Sequence, residues 1–488
     1  MSARREWLKQ GAALGASLAL PLKASAQAPQ TAAPAAPTAP TTAAKPAPAP
    51  LIPAPAASAA PLLPGRPWQN WSGIERCAPA NWLIPADEGQ LAATLATSKG
   101  SLRCVGAGHS FTGLVPTEGT LISLDKLSGI VALDRANSVV RVRAGTRLNQ
   151  LARELDAQGL ALYNQPDIDV QTVAGALSTA THGTGLTLPA LHAEVQALRL
   201  ITVQGEALEC SRFKNPELFD AARVSLGALG VISEFSLRVR PRHLLRRKVW
   251  LSRTEALLEQ APELARAHRH FEFYVLPFTG YSAAITHDEV QGAPQTAKPA
   301  ADEDMLRDLR RLRDWLGRWP ELRRWTAAKL IDPAMTESAQ DWSWKLLSTV
   351  RPTRFNESEF HLPRETALTC LKEVIATLER RNEVFFPMEF RFVRADHAWL
   401  SPFFERDSCS IAAHAAQGEA HDYLVSDLAP IFRRHGGRPH WGKLHGLKSA
   451  DLAALYPRYA DFRQQRERLD PQGRLLNRHL RQLFEGQA

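Results

Sequence analysis

The sequence predicts an α+β fold in two parts, and three observations carry that expectation. Residues 68–242 alternate short apolar runs with helical stretches, the pattern of an α/β sheet. Residues 243–488 change to longer segments with aromatic strands, which implies an antiparallel sheet covered by helices. A length of 488 residues, 44% hydrophobic and 22% charged, suits a soluble chain of two domains with a large core.

The N-terminus is set apart from both. Arg4 and Arg5 precede Trp7 and Leu8, an apolar run covers Gly11 to Leu22, and Ala24-Ser25-Ala26 has the small-x-small form of a cleavage site. The run is too short and too rich in Gly and Ala to span a bilayer, so no stable membrane insertion is expected. Residues 1–26 therefore resemble a bacterial twin-arginine signal, which implies a periplasmic or exported protein. Residues 27–67, almost entirely Ala, Pro and Thr, are expected to form an extended, mobile spacer.

The net charge of +9 comes without zinc-finger spacing, an RNA-binding signature or a basic tail, so no nucleic-acid partner is expected. Five scattered cysteines, none in a C-x-x-C pair, speak against a disulfide framework and against structural zinc; no metal is expected.

Globular sequence is expected from Trp68. A helix is predicted over Asp87 to Thr97 with Asp87 as N-cap, leading into a strand at Leu102. Short strands follow at Leu121 to Leu124, Val139 to Val142 and Leu160 to Tyr163, the last two separated by an Arg147 to Gln158 helix that Thr146 is placed to cap. The strand at Leu102 ends in Val105-Gly106-Ala107-Gly108-His109-Ser110. Glycines 106 and 108 allow the backbone to turn its N–H groups toward one point, a nest that suits a pyrophosphate. The His109 ring offers a general base, a metal ligand or an attachment point for a flavin. Taken alone the pattern is more often that of an ordinary turn.

Two further stretches share this character. Val170 to Gly185 is dense in hydroxyls and small residues, including Thr172, Gly175, Ser178, Thr181, His182, Gly183, Thr184 and Gly185, which let a flat ligand approach the backbone; close packing at a helix start is the alternative. Ser225-Leu226-Gly227-Ala228-Leu229-Gly230-Val231-Ile232 then leads into a strand over Glu234 to Arg240.

In the second half, strands are predicted at Phe271 to Val275, Glu357 to His361, Val384 to Val393 and Ser410 to His414, with a flexible loop over Gly292 to Asp302. A basic helix, Met305 to Trp319, aligns Leu306, Leu309, Leu312, Leu316 and Trp319; its arginines read as a solvated face, with a docking surface as the alternative. In the strand Val384 to Val393, Phe386, Met388, Phe390 and Phe392 share one side and Glu389 and Arg391 the other. The latter two are either a structural ion pair or a site. Arg438-Pro439-His440-Trp441-Gly442-Lys443 sets a lysine beside aromatic and imidazole groups.

The ordered motifs G-A-G-H-S-F, T-V-A-G-A-L-S-T-A-T-H-G-T-G and L-G-A-L-G-V-I resemble the FAD-binding domain of the vanillyl-alcohol oxidase superfamily, and within it the aldonolactone and alditol oxidases. The resemblance implies a two-subdomain FAD-binding domain followed by a substrate-binding cap whose C-terminal segment returns to the flavin. It places Val105 to Ser110, the 172–185 residues named above, Ile232 and His440 around FAD, and makes His109 the attachment point of a covalent flavin. Pro166 to Val170 lacks the cysteine of doubly attached relatives, so a single bond is expected. Glu389, Arg391 and Lys443 are implied as the catalytic and substrate-binding set, with His414 a further substrate contact.

The implied reaction is oxidation of an alcohol group of a sugar-derived lactone or a polyol. Hydride leaves carbon for flavin while the hydroxyl proton is lost, so a cation must meet the developing alkoxide charge. Oxygen, giving hydrogen peroxide, is the expected acceptor. The alternatives are a same-fold dehydrogenase feeding a periplasmic cytochrome or quinone, and a non-catalytic flavin-binding protein.

Overall fold

Two sheets build the first half and one large sheet the second. The structure, a computed structural model, describes residues 58–295 and 303–486. The expected export signal, the spacer up to residue 57 and most of the 292–302 loop lie outside these residues. Order nevertheless begins before Trp68. Leu62–Pro64 pairs with Asn81–Leu83, and the Ala60 N–H donates to the Thr94 hydroxyl at 2.8 Å, so the last part of the expected spacer belongs to the fold.

The first sheet runs in the order Leu62–Pro64, Asn81–Leu83, Thr120–Ser123, Leu102–Val105, the last three mutually parallel. Helix Glu88–Thr97 connects two of them, and its start is fixed as expected: the Asp87 carboxylate accepts from the Gln90 N–H at 2.8 Å. The second sheet is antiparallel, with Val231–Arg238 between Val195–Ile201 and Val139–Arg143. Helix Leu148–Ala157 packs Leu148, Leu151 and Leu155 into the core, but Thr146 does not cap it. The Thr146 hydroxyl instead donates to the Arg143 carbonyl and accepts from the Gly129 N–H, because a turn on either side requires those bonds.

The second half is an eight-stranded antiparallel sheet. Its central strands are His270–Leu276, Met388–Val393, Ser408–Ala416 and Phe355–Pro363, neighbours in that order. Period-two alternation divides them cleanly. Phe273, Phe390, Ile411 and Phe360 are fully buried on one face, with Phe273 stacked on Phe390 at 4.8 Å. The opposite face carries Glu272, Tyr274, Glu389, Arg391, Ser410, His414, Glu357, Glu359 and His361.

Two predicted elements differ. The strand expected from Val384 starts only at Met388, since Pro387 has no N–H to give a ladder. Phe385 and Phe386 instead turn together into a small separate core with Leu276, Leu309 and Ala416. The basic helix spans Glu303–Leu316 and stops at Gly317, and Trp319 precedes a second helix, Pro320–Leu330.

The C-terminal segment closes back on the first half. The Arg474 guanidinium donates to the carbonyls of Leu95, Ser98 and Val203, and Asn477 reaches the Gly113 carbonyl at 2.7 Å.

Candidate active site

A cleft enclosing about 1030 Å3, counting space open to solvent, runs along the edge of both N-terminal sheets. Val105, Gly106, Ala107, Gly108, His109, Ser110, Thr172, Gly175, Ser178 and Ile232 all line it, so all three motifs meet there. The glycines are required by geometry. A Cβ on Gly106 would lie 2.5 Å from Thr172 Oγ1, and Gly108 holds a φ of +70°. Thr172 caps helix Val173–Ser178, its hydroxyl accepting from the Gly175 N–H at 3.1 Å, so a helix N-terminus opens beside the glycine turn. Gln171, Thr179 and Ser225, within the same stretches, also line it, and so do Ala144 and Gly145, which sequence reading did not single out although a glycine close after a strand was a usable signal. Arg103, the buried cation of this wall, is fully engaged by the carbonyls of Leu114, Leu226, Gly227 and Leu475. A lining of backbone, hydroxyls and small apolar groups fits a long, flat dinucleotide such as FAD.

His109 stands at one end of this cleft. Its ring stacks on Trp71 with centroids 5.3 Å apart. The Trp71 N–H donates to the Gly108 carbonyl at 2.8 Å, and Asn70 Nδ2 donates to the Ser110 carbonyl at 2.9 Å, so the Trp68 to Ser72 segment clasps the loop. Burial, reinforced by the charges of Lys443 and Arg147, lowers the His109 imidazole to about 4. The ring is therefore neutral at physiological pH, with a lone pair to offer.

Lys443 arrives from the far end of the chain. The Phe111 N–H donates to the Gly442 carbonyl at 2.6 Å, and the Thr112 hydroxyl to the Trp441 carbonyl at 2.9 Å. The Lys443 ammonium lies 5.1 Å from the Phe111 ring centroid and is bonded to the Glu357 carboxylate. His440 is buried beside it, its Nδ1 accepting from the Gly442 N–H, and burial lowers its imidazole to about 3.

Beyond the lysine stands the polar face of the large sheet. Register sets Glu272 opposite Arg391 and Tyr274 opposite Glu389. Arg391 bonds Glu272 at 2.7 Å and pairs with Glu389, while the Tyr274 hydroxyl donates to Glu389. Asp167, bonded at 2.9 Å to Arg351, adds a third carboxylate. Burial foremost, with Glu272 and Asp167 adding to it, raises the Glu389 carboxyl to about 8 despite Arg391. Asp167 shows the reverse: although burial opposes it, Arg351 and Arg391 hold that carboxyl below the usual range. The site thus keeps a buried guanidinium beside a carboxyl able to donate a proton at neutral pH. His414 Nδ1 faces the Pro387 carbonyl at 3.1 Å and its Nε2 is 3.7 Å from Glu357. Glu357, Glu272, Tyr274 and Asp167 were not singled out from sequence; the signal for the first three was the alternation of polar side chains in E-S-E-F-H and F-E-F-Y-V, whereas Asp167 lies in the P-D-I-D-V segment, which belongs to neither.

The remaining motif residues lie outside the cleft lining, where the two halves join. The Thr184 hydroxyl donates to the Phe271 carbonyl and accepts from the Phe392 N–H, and the Gly185 N–H donates to the Phe392 carbonyl. Gly183 packs against Asn164 and Gln165. Thr181 faces the Gln171 amide at 3.4 Å. His182 bonds Glu359 at 2.9 Å, and Ser410 donates to the same carboxylate. His182, Glu359 and His361 bring ligand-type atoms within 4.8 Å of one another, spacing that a cation would tolerate, although His182 and Glu359 already satisfy each other.

A two-sheet nucleotide-binding half joined to an antiparallel cap, whose polar face holds buried Arg391 and Glu389 and a half-buried Lys443, defines a flavin-dependent oxidoreductase architecture. The fold matches a solvent-stable cholesterol oxidase with a TM-score of 0.70 at 17% identity, covering 87% of this chain and 98% of that one. Residues 79–211 match the FAD binding domain, and residues 235–483 match D-arabinono-1,4-lactone oxidase. The L-gulono-1,4-lactone dehydrogenase of Mycobacterium tuberculosis is 34% identical over 86% of this chain and 99% of its own. The alditol oxidase of a Streptomyces species is 31% identical over 86% of this chain and 99% of its own. The chain belongs to the D-arabinono-1,4-lactone oxidase family and is an FAD-dependent oxidoreductase acting on CH–OH groups.

Proposed function

We propose that this enzyme oxidises a ring or terminal alcohol of a sugar-derived lactone, with FAD bound through His109 and oxygen as the acceptor, yielding hydrogen peroxide. The observation that carries the reading is that Glu357, which holds Lys443, stands on the same face of the large sheet as the Arg391–Glu389 pair, while the Lys443 charge also acts on His109 in the cleft lining. When bound, FAD supplies a hydride acceptor at its ring nitrogen. The protein's own groups do the rest. Arg391 and the protonated Glu389 present donors to substrate oxygens, and a lactone carbonyl is a group that accepts from both. Lys443 meets the charge developing on the reacting hydroxyl oxygen, and Glu357 and His414 form a route by which the released proton leaves it. Trp71, Phe111 and Phe355 keep water from that oxygen; their rings lie 5.1 to 6.3 Å apart.

The neutral His109 imidazole is consistent with covalent attachment of FAD, since only an unprotonated ring nitrogen has a lone pair that would be available to hold the group. The twin-arginine start supports export of a folded, flavin-loaded protein to the periplasm. A polyol remains the second substrate reading, favoured by the Streptomyces relative.

Turnover of gulonolactone, galactonolactone, arabinonolactone, xylitol and sorbitol, each with oxygen and with an artificial acceptor, tests the reading. Lactone oxidation with stoichiometric peroxide is expected. Flavin reduction by none of the five removes the substrate assignment, and slow reoxidation in air assigns the electrons to a carrier such as a cytochrome or quinone.

A further inference from the structure

Three of the twelve tryptophans stand out of the surface within eleven residues of each other. Trp315, Trp319 and Trp325 are 79%, 58% and 62% exposed, and Leu322 between them is 46% exposed. Among the described residues these four make up a large share of all exposed bulky apolar side chains, which otherwise occur singly or in pairs. They sit on the helix pair Glu303–Leu316 and Pro320–Leu330.

This pair is firmly held without them. Leu309 is buried among Leu276, Phe385 and Phe386. Arg313 pairs with Glu419 and lies over the Phe385 ring, and Arg323 is buried over the Phe278 ring with a bond to the Val384 carbonyl at 2.7 Å. The indoles are therefore displayed by an anchored element. The charges around them are sorted as well: Asp314 and Glu321 are engaged by Arg313 and Arg324, whereas Arg318 and Lys329 are exposed and make no ion pair among the described residues. What is presented outward is indole, leucine and an excess of positive charge: residues 303–330 hold eight Arg and Lys against five Asp and Glu, of which Glu321 is itself exposed.

We propose that this helix pair is a peripheral docking surface for an anionic phospholipid bilayer. Indoles partition to the boundary between headgroups and acyl chains, where ring and N–H each find a suitable medium, and basic side chains interleaved with them gain from anionic headgroups. A protein partner of ordinary specificity would bring carboxylates to the basic side chains but leaves no reason for three exposed indoles within eleven residues. The docking element also backs onto the site: Phe385, beneath Arg313, continues through Phe386, Phe355 and Trp71 to His109 in ring-to-ring steps of 4.6 to 5.8 Å. Docking there sets the flavin end of the enzyme toward the membrane, whichever acceptor it uses.

Flotation of the full-length protein with vesicles tests this. Vesicles of phosphatidylglycerol and phosphatidylethanolamine are expected to carry the wild type up at low salt, and at least tenfold less of it in 0.5 M salt or with phosphatidylcholine alone. The W315S/W319S/W325S variant is expected to lose at least tenfold in bound fraction, and so is R318E/K329E, which touches no core residue; both should keep lactone turnover in solution. Failure of the wild type to float with anionic vesicles overturns the proposal. So does equal flotation of both variants, which would place membrane binding elsewhere on the chain. A wild-type dimer in sedimentation velocity that the tryptophan variant dissociates, without vesicle binding, would assign the surface to a second copy instead.

Discussion

The Phe111 N–H donates to the Gly442 carbonyl at 2.6 Å, joining residues 331 positions apart. One bond thereby fixes the loop that carries His109 against the loop that carries Lys443. A Cβ at Gly442 would lie 3.0 Å from Ser110 Oγ and 3.4 Å from His440 Cε1. Gly442→Ala is expected to push the loops apart by a few tenths of an ångström, lowering kcat by roughly tenfold with little change in Tm, because alignment at a reacting centre is lost before packing is. Steady-state kinetics beside a thermal melt checks this; a fall in Tm with kcat intact would contradict it.

Glu357→Gln keeps the shape of the side chain and removes the charge paired with Lys443. A drop in kcat of about ten- to a hundredfold is expected, with flavin content unchanged, since the lysine loses the group that aims it. Flavin absorbance and turnover, measured on the same preparation, separate this from misfolding.

His109→Ala removes the only imidazole among the described residues that line the FAD cleft. Wild-type protein precipitated with acid should remain yellow, and the variant should release FAD to the supernatant. Colourless wild-type precipitate would show that the cofactor is held without a bond.

Glu389 gives a pH dependence of defined sign. Its carboxyl titrates at about 8 in the fold, above the ordinary 4.5. Between these values the folded protein binds the extra proton, so this group's contribution is complete below pH 4.5 and is lost as pH rises toward and through 8. Glu389→Gln stays neutral throughout. The Tm of the variant relative to wild type should therefore rise by several degrees between pH 5 and pH 8.5, and calorimetry at several pH values reads it directly. A difference that does not change with pH would show Glu389 ionised across the range.

The two-part α+β architecture, the FAD-binding half and the residues whose chemistry is local are legible in the order of amino acids. Gly106 and Gly108 are legible because a turn without Cβ depends only on near neighbours, and Glu389 with Arg391 because a strand's period of two puts them on one side. The strand start at Met388 was legible too, through Pro387, had the missing N–H been weighed above the run of phenylalanines. Tertiary structure alone decided the company those residues keep. Glu357 meets Lys443, Tyr274 meets Glu389 and Asp167 meets Arg351 through strand register and loop closure over 85 to 185 positions. Nothing in one strand's pattern states which strand lies beside it. The neighbours of Thr184 and His182 were hidden for the same reason: a hydroxyl or an imidazole can bond many groups, and only the folded chain brings Phe271 and Phe392 to the one and Glu359 to the other.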